Sequence, residues 1–293
     1  MNREKLFVVV GVLALAALAC SLPGLPGSAG TQLKTGAVQT QAISVPLPAD
    51  TSKPVEVTLR LGAAEVTAGA GAAKLIDGNV QYNVQEFQPT VNTTGSRVEV
   101  LQGPSGGIQG ALPKDMVNKW NFRFGSGAPM NLTVQAGAYS GTWDLGGLRL
   151  QSLTWEEGAS KSTIGFGQAN LDKMDVFNFT TGASTVKLNG LANLNFGKMN
   201  FQSGVGTYTL DFGGKLKRSA SVEIKTGVSN VTIVVPVGTA ARITLKSAVS
   251  NTKTVGSWNN VGSTYTAGKY DTASEKLDIN IDMGLGQLTL DTH

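Results

Sequence analysis

The sequence predicts an all-β protein: a solenoid-like stack of short strands, following an N-terminal signal helix and a flexible linker. Three observations predict it. The 293 residues include 37 glycines but only 15% charged residues, which suits short strands and frequent bends better than helices. Apolar and polar residues alternate with a period of two through the middle of the chain, as they do along half-buried strands. That alternation also returns about every 22 residues around a glycine, a period at which one unit cannot bury its own apolar face and must stack on its neighbours.

The elements follow in chain order. Residues 1–19 read as a lipoprotein signal peptide: Arg3 and Lys5 precede an apolar run from Leu6 to Ala19, too short to span a bilayer comfortably. The run ends in Ala17-Leu18-Ala19-Cys20, which resembles the lipobox of bacterial lipoproteins; that resemblance implies a lipid on Cys20, the one cysteine of the chain, and the membrane as a partner through that anchor. Residues 20–45, rich in Gly, Pro, Ala, Gln and Ser, are expected to form a flexible, lipid-anchored linker. With a single cysteine, packing and strand ladders must hold the fold together outside the cytoplasm, without an internal disulfide.

Residues 46–115 form an N-terminal β segment and residues 116–293 the repeated β domain. With a glycine at zero, apolar residues fall at minus five, minus three, plus four and plus six. Gly182 has Phe177, Phe179, Val186 and Leu188; Gly204 has Met199, Phe201, Tyr208 and Leu210; Gly227 has Val222, Ile224, Val231 and Ile233. Gly284 fits fully, whereas Gly158 fails at Ser162, and Gly137 is weaker, with Gly141 where an apolar residue is due. Gly62 opens the series and Ala248 stands in a degraded copy. From 137 the spacings are 21, 24, 22, 23 and 21, then 36 to Gly284. The pattern predicts a strand, a tight turn at a glycine with positive φ, and a second strand, with apolar residues inward and Asn178, Thr180, Asn200, Gln202, Glu223 and Lys225 outward. Corners are expected at Asn170-Leu171, Asn189-Gly190, Asn193-Leu194 and Gly213-Gly214. Residues 249–269, where the period lapses, read as a long hairpin or loop.

Chemistry-bearing residues are sparse. The formal charge is +4 without a basic stripe, and Lys215-Leu216-Lys217-Arg218 reads as a solvated turn, so no nucleic-acid partner is expected. The sole histidine is the terminal His293, so no metal site, cofactor or nucleophilic triad is indicated. Glu156 with Glu157 and Asp172 with Asp175 are the carboxylate pairs to weigh for hydrolysis, but each adjoins a repeat turn where solvated acids are ordinary. Trp143 and Trp155 fall at inward positions. Trp120, Trp258, Tyr265 and Tyr270 lie outside the repeat and are the candidate ligand surface.

The segment NLTVQAGAYSGTWDLGGLRLQSLTWEEGASKSTIGF resembles the repeat signature of toast-rack proteins, a family related to the C-terminal domain of cell-wall-active antibiotic response proteins and to candidate adhesins. VEVTLRLGAAEVTAGAGAAKLIDGNVQYNVQEFQPTV resembles the N-terminal part that often precedes it. The resemblance covers roughly residues 50–290 and implies a rack-like pile of strands outside the cytoplasm. In the antibiotic-response relatives the domain is associated with regulating a sensor kinase, but this chain departs from them in lacking their several membrane helices. The expected role is therefore a non-enzymatic, lipid-anchored cell-envelope protein serving adhesion, scaffolding or stress sensing, with envelope polysaccharide or another envelope protein as partner. The alternative is a carbohydrate-binding or polysaccharide-processing β-helix.

Overall fold

The computed structural model describes residues 33–103, 112–246 and 251–293. Strands dominate them: β1 (Thr35–Val45), β2 (Val55–Leu61), β3 (Ala64–Ala72), β4 (Ile76–Val84), β5 (Pro89–Thr94), β6 (Arg97–Gln102), β7 (Asn118–Gly125) and β8 (Met130–Asp144). There follow β9 (Leu150–Gly165), β10 (Met174–Asn189), β11 (Phe196–Asp211), β12 (Ala220–Val235), β13 (Ala241–Leu245), β14 (Asn251–Val255), β15 (Asn259–Val261), β16 (Thr264–Ala267) and β17 (Leu277–Thr292). All are joined in one hydrogen-bonded sheet. The signal peptide, Cys20 and the first part of the expected linker lie outside the described residues. From Thr35 onward the linker reading is overturned, because β1 pairs antiparallel with β4 from Thr35↔Val84 to Val45↔Ile76.

Each repeat is one long strand folded on itself at its glycine. Phe201 and Tyr208 of β11 have ring centroids 5.4 Å apart. A straight strand would hold residues seven apart at roughly 23 Å, so the chain does reverse between them. The expected tight turn is corrected in one respect: Gly137, Gly158, Gly182, Gly204, Gly227 and Gly284 all have φ outside the left-handed region, and the strand runs through them. Side-chain alternation slips by one residue at the bend. In β10, Phe177, Phe179 and Thr181 are buried, Gly182 and Ala183 are both exposed, and burial resumes at Ser184, Val186 and Leu188. The slip lets both arms turn their apolar side chains into the space between them.

The glycines answer to steric need rather than to dihedral angle. A Cβ on Gly204 would lie 2.8 Å from the Gly182 carbonyl oxygen, and on Gly182 it would lie 2.5 Å from that of Gly158. Gly227 stands against Gly204, and Gly284 against Gly227, at 2.7 Å. Positive φ occurs instead at two of the expected corners, at Gly190 (76°) and Gly214 (98°).

Parallel, in-register ladders join the repeats: Leu132↔Leu153, Leu153↔Phe177, Phe177↔Met199 and Met199↔Val222 reproduce the spacings of 21, 24, 22 and 23 read from sequence. Below β8, the two arms of the Gly62 repeat are separate strands, with β2 on one half of β8 and β3 on the other. Above β12 the order departs from the sequence. β17 pairs with β12 (Val222↔Ile279), and β13 and β14 then pair with the two halves of β17 (Ile243↔Ile279, Thr252↔Leu288). The degraded repeat around position 248 is therefore the rung beyond β17 rather than beyond β12. Residues 251–275 carry β14, an antiparallel β15–β16 hairpin and a short 3-10 turn, so of the two expected forms it is the hairpin that is found. Antiparallel strands finish the stack: β4 on β7 and β5 on β6 at one end, β16 on β13 at the other.

The core between the arms is an aromatic column. Trp143 meets Trp155 edge-on at 4.7 Å, Trp155 stacks on Phe179 at 6.2 Å, and Phe179 stacks on Phe201 at 5.3 Å. Rungs of a sheet lie about 4.8 Å apart, so one aromatic per layer fills the interior continuously, each burying a large apolar area.

The bend makes a test. Gly204→Asn is expected to destabilise the stack by about 1–3 kcal/mol through overpacking against the Gly182 carbonyl. Gly262→Asn is expected to be near neutral, since that position has φ 60°, which asparagine tolerates, and open space for a Cβ. Urea melts compare the two variants.

Candidate interaction surfaces

Outward side chains of the first arm form ladders that run along the stack. In-register pairing puts like positions of successive rungs about 4.8 Å apart, within reach of amide and carboxylate side chains. Asn200 Nδ2 donates to Asn178 Oδ1 at 2.7 Å, Asn280 Nδ2 to Glu223 Oε1 at 2.8 Å, and Asn131 Nδ2 to Glu56 Oε1 at 2.7 Å. Arg60 Nε donates to Gln135 Oε1 and Gln135 Nε2 to Glu156 Oε2, both at 2.9 Å. Lys246 Nζ at 2.8 Å, and more weakly Asn280, hold the Glu223 carboxyl below its ordinary range against the opposing effect of burial. The result is a regular polar face whose side chains are oriented by each other rather than converging on one point.

A cleft of ≈ 530 Å³ opens on the outer face of the second arm, near the N-terminal end of the stack. Thr67, Thr142 and Thr163 occupy matched positions on β3, β8 and β9, and Asn121 continues the row on β7. Lys119 and Lys161 flank the row, with Lys119 3.7 Å from Glu65.

One polar group sits inside the core. Glu157 is 6% exposed and accepts hydrogen bonds from Tyr139 Oη at 2.8 Å, Trp155 Nε1 at 3.0 Å and Ser160 Oγ at 2.5 Å. A buried carboxylate needs such donors to offset lost solvation. This explains the interruption of the repeat at Ser162, whose hydroxyl lies 3.5 Å from Glu157 Oε2. Gly141, the other irregular position, leaves room for Trp143 and Tyr139, since a Cβ there would lie 2.7 Å from each. Burial first, and the Glu157 charge second, push the Tyr139 phenol far above its ordinary value of 10.0.

The residues singled out from sequence do not form one site. Trp120 is 1% exposed in the core, its Nε1 donating to Asn118 Oδ1 at 2.9 Å, so its assignment to a ligand surface is overturned. It escaped the repeat pattern because it lies on β7, which meets β3 at Val66↔Trp120 through a distant pairing. Tyr270 is also buried. Arg242 lies 4.7 Å and Lys276 5.0 Å from its ring centroid, and its hydroxyl donates to Asp278 Oδ1 at 2.6 Å. Burial, followed by the hydrogen bond to Asp278, pushes its phenol up to about 12. Its ring is engaged by the protein's own cations and is not open to a sugar. Trp258 and Tyr265 are half-buried, the indole of Trp258 donating to the Val255 carbonyl at 3.2 Å. Cys20 lies outside the described residues.

The carboxylate pairs are split as well. Glu156 is exposed on the outer face while Glu157 is inside, and Asp172 is held by Arg149 at 3.3 Å whereas Asp175 is exposed. Arg218, expected in a solvated turn, is half-buried and donates to the Met174 carbonyl.

The family of the N-terminal domain of toast_rack matches residues 34–178 and 176–234. Among solved structures the chain is similar to a candidate cell adhesion protein from Clostridium sporogenes, with 16% identity over 88% of this chain and 100% of that one, at a TM-score of 0.45. A candidate adhesin from Bacteroides fragilis shares 10% identity over 88% and 97% of the two chains, at a TM-score of 0.38. A candidate lipid binding protein from Parabacteroides distasonis does so at 10%, 88% and 97%, with a TM-score of 0.32. No curated protein matches.

The buried cluster predicts an alkaline limit. In the folded protein Tyr139 keeps its proton above the value of 10.0 at which the unfolded chain releases it. Its contribution is therefore fully present below about pH 10 and is lost as pH rises beyond it. Tyr139→Phe is expected to cost about 1–3 kcal/mol at pH 7, by leaving Glu157 short of a donor, and to flatten the loss of stability above pH 10. Denaturant melts at pH 7, 9 and 10.5 measure both effects.

Proposed function

The chain belongs to the family of the N-terminal domain of toast_rack, and on that premise we propose that it is a non-enzymatic protein of the bacterial cell envelope, held to the membrane by a lipid on Cys20. Its β-stack serves as an adhesion or scaffolding surface. The observation that carries this reading is the ladder of outward amides and carboxylates on the first arm, ordered along the stack by hydrogen bonds such as Asn200 to Asn178. Hydrogen-bonding groups repeated every 4.8 Å or so, already oriented before contact, suit an extended polar polymer, and envelope polysaccharide is the partner of that chemistry. The ladders also speak against hydrolysis, which needs acids facing one another across a cleft.

The anchor and the surface are tested separately. Wild-type protein is expected in the membrane fraction and Cys20→Ser in the soluble fraction; equal partition of both would remove the lipid. Replacing Asn178 and Asn200 together with alanine is expected to lower retention on immobilised envelope polysaccharide about two- to tenfold, the loss of one or two net hydrogen bonds. Retention equal to wild type, with an unchanged melt, would remove this face as the contact.

A further inference from the structure

The phase slip at each bend leaves one side chain per rung pointing out of the folded edge, immediately after the glycine. In order along the stack these are Ala138, Ala159, Ala183, Val205, Val228 and Leu285, each in register with the next. All are apolar and all are exposed, Val205 at 55%, Val228 at 48% and Leu285 at 55%. They form a continuous apolar ridge of about 24 Å, five inter-rung steps of roughly 4.8 Å. The core does not require it, since these side chains face away from the space between the arms. An ordered strip of this kind marks an interaction surface.

Two features identify its partner. Side-chain size never decreases along the ridge, rising from alanine at one end through valine to leucine at the other. If a second copy packs edge to edge and antiparallel, Leu285 meets Ala138, Val228 meets Ala159, and Val205 meets Ala183, so large faces small throughout. A parallel pairing would set Leu285 on Leu285 and leave the alanine end gaping. Charge agrees with the antiparallel arrangement. Over the six rungs of the ridge, the flanking column on the first-arm side contains Glu156, Lys225 and Asp282, and the same two-fold operation brings Glu156 of one copy opposite Lys225 of the other and Asp282 opposite the neutral Gln135; one rung further out it sets Arg60, hydrogen-bonded to Gln135, opposite Lys246, which is paired with Glu223. Both Glu156 and Lys225 are exposed and neither holds a salt bridge among the described residues.

We infer that the ridge is a self-complementary interface through which two copies of this chain associate antiparallel about a two-fold axis between the Ala183 and Val205 rungs. The same patch serves both subunits, as a closed two-fold dimer requires. A single row of side chains about 24 Å long covers less surface than the roughly 800 Å² per partner of a standard stable interface, so association is reversible and depends on concentration.

Sedimentation equilibrium of the full chain in a mild detergent tests it. Wild type is expected to titrate between one and two chains per particle. Val228→Asp should weaken self-association at least about tenfold, as loss of a central apolar contact does, with its melt unchanged because the site is outside the core. Glu156→Lys and Lys225→Glu should each weaken association, and the double variant should regain it, a recovery that only the antiparallel register provides. One chain per particle at every concentration, or a double variant no tighter than either single one, would overturn the inference. So would a monomeric wild type that floats with phosphatidylcholine vesicles more readily than Val228→Asp does, an outcome that assigns the ridge to a lipid surface.

Discussion

The fold depends on how closely successive chains approach at the bend. Gly182, Gly204, Gly227 and Gly284 each rest against the carbonyl oxygen of the glycine one rung below, at a distance where no Cβ fits. Because that approach is allowed, a strand can fold over while its backbone ladder continues on both sides. The arms then lie near enough for Phe201 and Tyr208 of one strand to touch. Everything else follows from repetition in register: the aromatic column inside, the polar ladders outside, and an edge with one side chain per layer.

Much of this was legible because an in-register parallel stack repeats its environment at a fixed sequence offset. Phe177, Met199 and Val222 occupy equivalent places, so equal selection on each leaves a countable pattern. The reason for the glycines was not legible. A left-handed φ and a close backbone approach both favour glycine, and a single sequence does not separate them; only the Gly182 carbonyl against Gly204 does. The rung order above β12 was hidden for a related reason. β13 carries the same alternation as any inner strand, and nothing local in it reveals that β17 comes between it and β12.

The candidate sites were less legible than the fold. Trp120 and Tyr270 looked free because they broke the repeat, but segments outside the repeat also bury side chains: Trp120 packs edge-on with Phe122 at 6.4 Å, which in turn meets Trp143, and Tyr270 is clasped by Arg242 and Lys276. The buried Glu157 left a trace that was readable only in hindsight. Ser162 and Gly141 are faults in the repeat: Ser162 faces Glu157, the one buried carboxylate among the described residues, and Gly141 makes room for Tyr139, which donates to it. An interruption in a repeat can therefore mark where the interior departs from hydrocarbon as well as where the surface gains a loop.

The position of β17 has a consequence for biogenesis. As the polypeptide leaves the ribosome, β12 and the segments that will cap it emerge before the layer that must lie between them. Rungs from β8 to β12 can add one at a time as short-range pairings, whereas β17 must insert by closing a loop back to β12 and, on its other side, meet β13 and β14. Loop closure of this kind slows assembly. Until that strand arrives, the upper face of β12 offers an unsatisfied hydrogen-bonding edge, so the nascent chain passes through a state open to pairing with other strands.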